Sequence, residues 1–297
     1  MRIGMIGTGM MGTGLALNAL KAGHAVTVGG GRSTASRERL VGAGASHAAT
    51  MAGVAEGRDA LVLCVSDADA VRAVMSEVDG SLAPGVLVVD VTTSDPALTR
   101  HLAAMLEARD IVFVDAPVTG GPPQAESGDL ASLVGCREAD WPRVEALVGC
   151  WSRVVRRFGA PGTGHLAKLL NNFVTQGTTV LLAEAFAAAR GHDLDLAALR
   201  DVMSAGAARS GTFEKTFAPA VDGDYDQARF SIANARKDVA YYARVAEASG
   251  DPRIAEAILA VLDAHVAEGH APAYVSRLFD PEVWNGDQPR TGLGFRT

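Results

Sequence analysis

Cysteine is scarce. Cys64, Cys136 and Cys150 are the three in 297 residues, an odd number with no CxxC pair. That argues against a disulfide framework and against structural zinc, and leaves the thiols as small buried hydrophobes. Long apolar runs are also lacking. No stretch reaches the roughly 18 apolar residues of a membrane-spanning helix, and the best candidate, 178–189, is interrupted by Glu184. The opening MRIGMIGTGMMG is too rich in glycine for the apolar core of a signal peptide. Positive charge is not in excess: 27 Lys and Arg against 34 Asp and Glu give a formal net charge of −7. That argues against a general nucleic-acid-binding surface and against a basic membrane anchor. We therefore expect a reduced, cytoplasmic protein whose partner is neither nucleic acid nor membrane.

What is present is an ordinary globular composition, 48% hydrophobic and 21% charged, long enough for about two domains. Glycine is plentiful, 33 residues, in short separated clusters that read as sharp turns. From residue 2 to 118 one pattern repeats: a short apolar run, a turn, then an amphipathic run. Strands are expected at 2–6, 25–28, 60–65, 86–89 and 111–114, with helical spacing at 68–78 and 96–108 between them. Runs this continuously apolar imply a parallel sheet covered on both faces. After 160 the pattern becomes helical: 165–190 without proline and interrupted only by Gly177, then 194–205, 232–248 and 253–268. The expected fold class is α/β: an N-terminal domain over 1–162, then an all-α C-terminal domain over 163–297 that includes a long interdomain helix at about 164–190. The tail 285–297, with its Gly and Pro residues, reads as irregular.

Gly7-Thr8-Gly9-Met10-Met11-Gly12 is a G-x-G-x-x-G that directly follows the first strand and opens a helix, the context the motif needs for a dinucleotide. Gly7 makes the tight turn, Gly9 lets the backbone approach a pyrophosphate, and Gly12 lets helix and strand pack closely. The helix N-terminus offers N–H groups and positive dipole to phosphate. The N-terminal domain is thus expected to be Rossmann-type. A carboxylate at the end of the second strand would hold a ribose 2′-hydroxyl; here the chain reads Val28-Gly29-Gly30-Gly31-Arg32-Ser33. Arg32, with its bidentate fork, and the Ser33 hydroxyl suit a 2′-phosphate. NADP(H) is the favoured cofactor, with NAD(H) possible.

Three further segments matter as a set: Asp115-Ala116-Pro117-Val118-Thr119-Gly120-Gly121 after the last clear strand, Gly164-His165-Leu166-Ala167-Lys168-Leu169-Leu170-Asn171-Asn172 entering the long helix, and Lys237-Asp238-Val239 in a later one. In order and spacing they resemble the β-hydroxyacid dehydrogenase family, which includes 3-hydroxyisobutyrate dehydrogenase and tartronate semialdehyde reductase. The resemblance runs from Gly7 to the Gly269-His270 region. It implies that Lys168 is the catalytic lysine and Asn172 its helper. Independently, an i, i+4 pair shares one helix face about 6 Å apart along the axis. The resemblance also implies that Thr119, Gly120 and Gly121 hold a substrate carboxylate, Thr119 standing where the family commonly has Ser. It sets Thr93, in the loop Asp90-Val91-Thr92-Thr93, beside the nicotinamide. Val65 and Ser66 fall on another cofactor-contacting turn, Ser66 replacing a frequent Pro. Lys237 closes over the cofactor, and Phe230 lines the substrate pocket. His165, in the first turn of its helix, suits packing or capping as well as acid–base work, and Asp238 suits a salt bridge.

The implied reaction is reversible hydride transfer between a nicotinamide and a short 3-hydroxy acid or semialdehyde, with Lys168 as general acid and base and no metal. A homodimer or homotetramer is expected. Two other readings stay open: an imine-reductase-like NADPH enzyme, against which Lys168 argues, and a non-catalytic dinucleotide-binding sensor.

Overall fold

The computed structural model describes residues 1–30, 33–248 and 250–284. Arg32 and the tail expected over 285–297 lie outside the described residues. The chain divides into two compact units, Met1–Leu169 and the residues from Leu170 onward.

The first unit is α/β. Its strands are β1 (Arg2–Ile6), β2 (Ala25–Gly29), β3 (Ser46–His47), β4 (Ala60–Leu63), β5 (Leu87–Asp90), β6 (Val112–Asp115), β7 (Val118–Thr119), β8 (Leu130–Gly135) and β9 (Ser152–Gly159). They form one sheet in the order β3-β2-β1-β4-β5-β6-β8-β7, with β9 on β8. From β3 to β6 every pairing is parallel, which is the strand order of a dinucleotide-binding sheet. Every residue of β4 and β5 is buried. Such strands are covered on both faces, which explains their unbroken Val and Leu runs. The crevice of this topology opens at the carboxyl ends of the strands, where the order reverses about β1 and β4.

Sequence periodicity does not reveal β3 or the three strands after residue 115. β3 is two exposed residues with no apolar signal. β7 is equally short, β8 runs antiparallel to β6 and β7, and β9 breaks its apolar run with Arg153, Arg156 and Arg157. Charged side chains of this kind blunt a sheet edge. The thiols also differ from expectation. Cys136 is buried, whereas Cys64 and Cys150 are only partly so.

The helix Met10–Lys21 packs unusually closely on the short helix Pro122–Ser127. A Cβ on Gly14 would lie 2.6 Å from the backbone of Ala125, and Asn18 Nδ2 donates to Gly14 O at 2.9 Å and to Ala125 O at 2.7 Å. The glycine turn after β1 and the segment after β7 are thereby fixed to one another.

The second unit is helical, with helices at Leu196–Ala205, Gly211–Lys215, Phe217–Val221, Ile232–Glu247 and Arg253–Ala267. The long helix Thr163–Gly191 starts in the first unit and runs through the division into the second. Its inner turns pack Phe186 edge-on against Phe217 and Phe279, with centroids 5.4 Å and 5.5 Å apart. Gly177, the interruption in the apolar pattern, admits Ile258, whose Cδ1 would meet a Cβ there at 2.9 Å. No helix among the described residues is long and apolar enough to cross a membrane.

Gly14→Ala must push Ala125 backbone aside. We expect a loss of about 1–3 kcal/mol, read as a lower urea midpoint at unchanged slope; a midpoint equal to the native one would show that the two helices part freely.

Candidate active site

The glycine turn is built by close contacts that only glycine allows. Gly7 has φ +93°, and a Cβ there would lie 2.2 Å from Cys64 O. A Cβ on Gly12 would lie 1.9 Å from Gly7 O, so helix and strand touch backbone to backbone. Gly9 differs: nothing lies within 4 Å of its Cβ position. Gly9 is also the N-cap of Met10–Lys21 and supplies no side-chain cap, unlike Ser33, Thr50, Asp67 and Asp95 at the helix starts that follow β2, β3, β4 and β5. Open space over Gly9 and a helix start with no side-chain cap fit the pyrophosphate of a dinucleotide. Thr8 is buried with its carbonyl accepting from the Thr13 hydroxyl at 3.1 Å. Met10 is 65% exposed and Met11 half-buried.

At the end of β2, Ser33 Oγ accepts from Ser36 N–H at 3.2 Å and so caps the helix Thr34–Gly42. A capping hydroxyl keeps its own hydrogen to donate. Its neighbour Arg32 lies outside the described residues.

The turns after β4 and β5 are tied together. Val65 N–H donates to Thr92 Oγ1 at 3.1 Å, and Thr92 N–H donates to Asp90 Oδ1 at 2.9 Å. Ser66 is exposed and donates to Asp67 Oδ2 at 2.8 Å; Thr93 follows Thr92 and is half-buried. Beyond β6, Thr119 ends the short strand β7 and Gly120 takes φ +118°. Gly121 N–H donates to Gln124 Oε1 at 2.9 Å, so that donor is engaged within its own turn.

One cluster escapes the sequence reading. Asp90 and Asp115 are registered neighbours at the carboxyl ends of β5 and β6, and both are fully buried. Asp115 Oδ1 accepts from Gly162 N–H at 2.7 Å and Oδ2 from His165 N–H at 2.6 Å. A strand-end carboxylate thereby holds the start of the helix Thr163–Gly191, where the dipole favours negative charge. The His165 ring, 0% exposed, bonds Thr92 O through Nε2 and the Thr99 hydroxyl through Nδ1, both at 2.8 Å. Packing and capping, the plainer uses of a first-turn histidine, are what the ring and its N–H perform. The signal available in sequence was an acid ending each of two apolar strands, Asp90 and Asp115. Lys168, half-buried, follows three residues after His165.

In the second unit Asn172 is 5% exposed and donates through Nδ2 to Asp238 Oδ2 at 2.6 Å, while its Oδ1 accepts from Asn171 Nδ2 at 3.1 Å. Lys237 Nζ lies 3.3 Å from Asp238 Oδ1 and 5.6 Å from the Tyr241 ring centroid. Asp238 is thus paired with a basic neighbour, as its position suggests. Phe230 is half-buried against the helical core.

Residues 2–159 match the family described as the NAD binding domain of 6-phosphogluconate dehydrogenase, and 162–276 match the NAD-binding domain of NADP-dependent 3-hydroxyisobutyrate dehydrogenase. The chain belongs to the β-hydroxyacid dehydrogenase family. As a β-hydroxyacid dehydrogenase it carries NAD(P)-binding domains and is an oxidoreductase acting on CH–OH groups. It is 32% identical to an uncharacterized oxidoreductase of Shewanella frigidimarina over 80% of this chain and 82% of that one. It is 30% identical to the mitochondrial 3-hydroxyisobutyrate dehydrogenase of Drosophila melanogaster over 84% and 79% of the two chains. A 3-hydroxyisobutyrate dehydrogenase structure from Salmonella typhimurium superposes with TM-score 0.83 at 28% identity, covering 94% of this chain and 98% of that one.

Burial pushes the Asp115 carboxyl up to about 7, against backbone N–H bonds that pull it down. In the unfolded chain an Asp releases its proton near 3.9. Below that both states are protonated; between about 4 and 7 the unfolded state loses its proton first, so this group's contribution to stability falls as pH rises. Relative to the native chain, Asp115→Asn should therefore gain unfolding free energy from pH 4.5 to 7, measured by urea denaturation at each pH. A native–variant difference independent of pH would refute the assignment.

Proposed function

We propose that this β-hydroxyacid dehydrogenase interconverts a short 3-hydroxy acid and its semialdehyde with NADP(H), using Lys168 as the general acid and base. The observation that carries the reading is the position of Lys168. It follows one helical turn behind a helix start bonded to the carboxyl ends of β5 and β6, the edge at which this sheet type receives its ligands. NADP(H), when bound, supplies or accepts the hydride.

In reduction, the Lys168 ammonium polarises the carbonyl and donates its proton to the forming alkoxide. In oxidation the neutral amine removes the hydroxyl proton. Thr119 and the N–H groups of Gly120 and Gly121 hold the carboxylate; since Gly121 N–H already donates to Gln124, a carboxylate takes that bond over from the side-chain amide. Asn172 has a second Nδ2 hydrogen to offer a substrate oxygen, the first being held by Asp238. Phe230 and Lys237 are assigned to substrate and cofactor by family resemblance. NADP(H) is favoured over NAD(H) because the end of β2 lacks an acid and offers Arg32 and Ser33. The long helix and the helical second unit suit assembly as a homodimer or homotetramer.

The test is NADP+ and NAD+ reduction across 3-hydroxyisobutyrate, glycerate, serine and 4-hydroxybutyrate, with the matching semialdehydes in reverse. Lys168→Ala should lower kcat about 10²- to 10⁴-fold and leave NADPH affinity within about two-fold. Lysine is protonated at neutral pH unless its surroundings intervene, so oxidation should rise toward alkaline pH and reduction should be favoured near neutrality. An oxidation profile flat from pH 6 to 10 counts against Lys168 as the base. NADPH binding with no turnover of any acid would make the protein a dinucleotide sensor, and turnover confined to cyclic imines would make it an imine reductase.

A further inference from the structure

Three segments given work above meet at one buried imidazole: the 90–93 loop, the strand end leading into 115–121, and the helix that bears Lys168. His165 Nε2 faces the Thr92 carbonyl and must donate to it, since a carbonyl only accepts. Nδ1 faces the Thr99 hydroxyl, which can donate or accept, so that contact holds whichever protonation state the ring adopts. The backbone N–H of the same residue is on Asp115 Oδ2. Two carboxylates flank the ring, Asp90 Oδ2 at 3.8 Å from Nε2 and Asp115 Oδ2 at 3.8 Å from Nδ1. The preceding residue adds a constraint of another kind. A Cβ on Gly164 would stand 2.4 Å from Leu133 O and 2.8 Å from Gly135 N, so the first turn of the helix lies against the backbone of β8. The helix start is therefore held from several sides, by side-chain bonds, by a capping carboxylate and by backbone contact. Residues three apart share a helix face, so Lys168 leaves the helix on the face that His165 anchors.

We propose that His165 is a positioning residue for the reaction: by bridging the Thr92 carbonyl and the Thr99 hydroxyl it fixes the azimuth and depth of the helix start, and so the place at which the Lys168 ammonium meets the substrate oxygen. It does not itself touch substrate. The inference rests on the reading of Lys168 as the acid and base. A displacement of about 1 Å in a catalytic group costs on the order of 100-fold in rate, so loss of the bridge should be read in kcat.

The experiment measures kcat, KM and NADPH Kd for His165→Ala, His165→Gln, Thr99→Val and Lys168→Ala, with NADP+ and the panel acid oxidised fastest. The expected result for His165→Ala is a kcat about 10- to 100-fold lower, with NADPH Kd and KM within about two-fold. His165→Gln, whose amide can still donate to Thr92 O, should recover part of the loss. Thr99→Val keeps the volume and removes one bond; it should show a several-fold drop in kcat and serves if His165→Ala does not fold. Native kcat in both His165→Ala and Thr99→Val, with Lys168→Ala inactive, overturns the positioning role and leaves the lysine reading standing. A Kd loss equal to the kcat loss overturns it as general loosening. Near-native kcat in Lys168→Ala, or a panel with no turnover, overturns the lysine reading and this inference with it.

Discussion

A buried carboxylate organises the carboxyl edge of this sheet. Asp115 is removed from water at the end of β6, and its oxygens are satisfied by N–H groups at the start of a 29-residue helix, those of Gly162 and His165. Burying an acid is costly unless its lone pairs find donors; a helix N-terminus supplies donors and a favourable dipole together. The cost and its relief dictate one arrangement, in which the helix must begin where β6 ends. Every residue later in the helix inherits its place from that bond, Lys168 within the next turn.

The cofactor end works by the opposite device, the removal of groups. At Gly7 and Gly12 the missing side chains let strand, turn and helix meet at backbone distance, and at Gly9 the missing side chain leaves room. The helix there has no side-chain cap, whereas its neighbours are capped by Ser, Thr or Asp. The helices that follow β2, β3, β4 and β5 start on a side-chain cap, and the one that follows β1 starts open, as an anion site requires. Gly14 and Asn18 then lock that helix to the segment after Thr119, so the glycine turn and the 119–121 segment share one rigid reference.

In the second unit the polar groups are likewise committed to one another. Asn172 donates to Asp238, which pairs with Lys237, which lies over Tyr241. An amide with one hydrogen already held is better oriented than a solvated one.

The sequence by itself determined the parallel strands β1, β2, β4, β5 and β6, the glycine turn and the long helix, because each is written in local terms: unbroken Val and Leu runs, glycines at fixed spacing, a 3.6-residue period. It also placed Lys168 and Asn172 one turn apart, since a continuous helix fixes that separation without reference to anything else. The short strands β3 and β7 and the arginine-broken β9 were beyond it, because a two-residue or charged edge strand exists only through its partner. Only the tertiary structure decided that Asp90 and Asp115 lie side by side, that Gln124 holds the Gly121 N–H, and that His165 spans Thr92 and Thr99. The aspartate and histidine pairings join residues tens of positions apart, and their energies come from burial and from donors that no local pattern records.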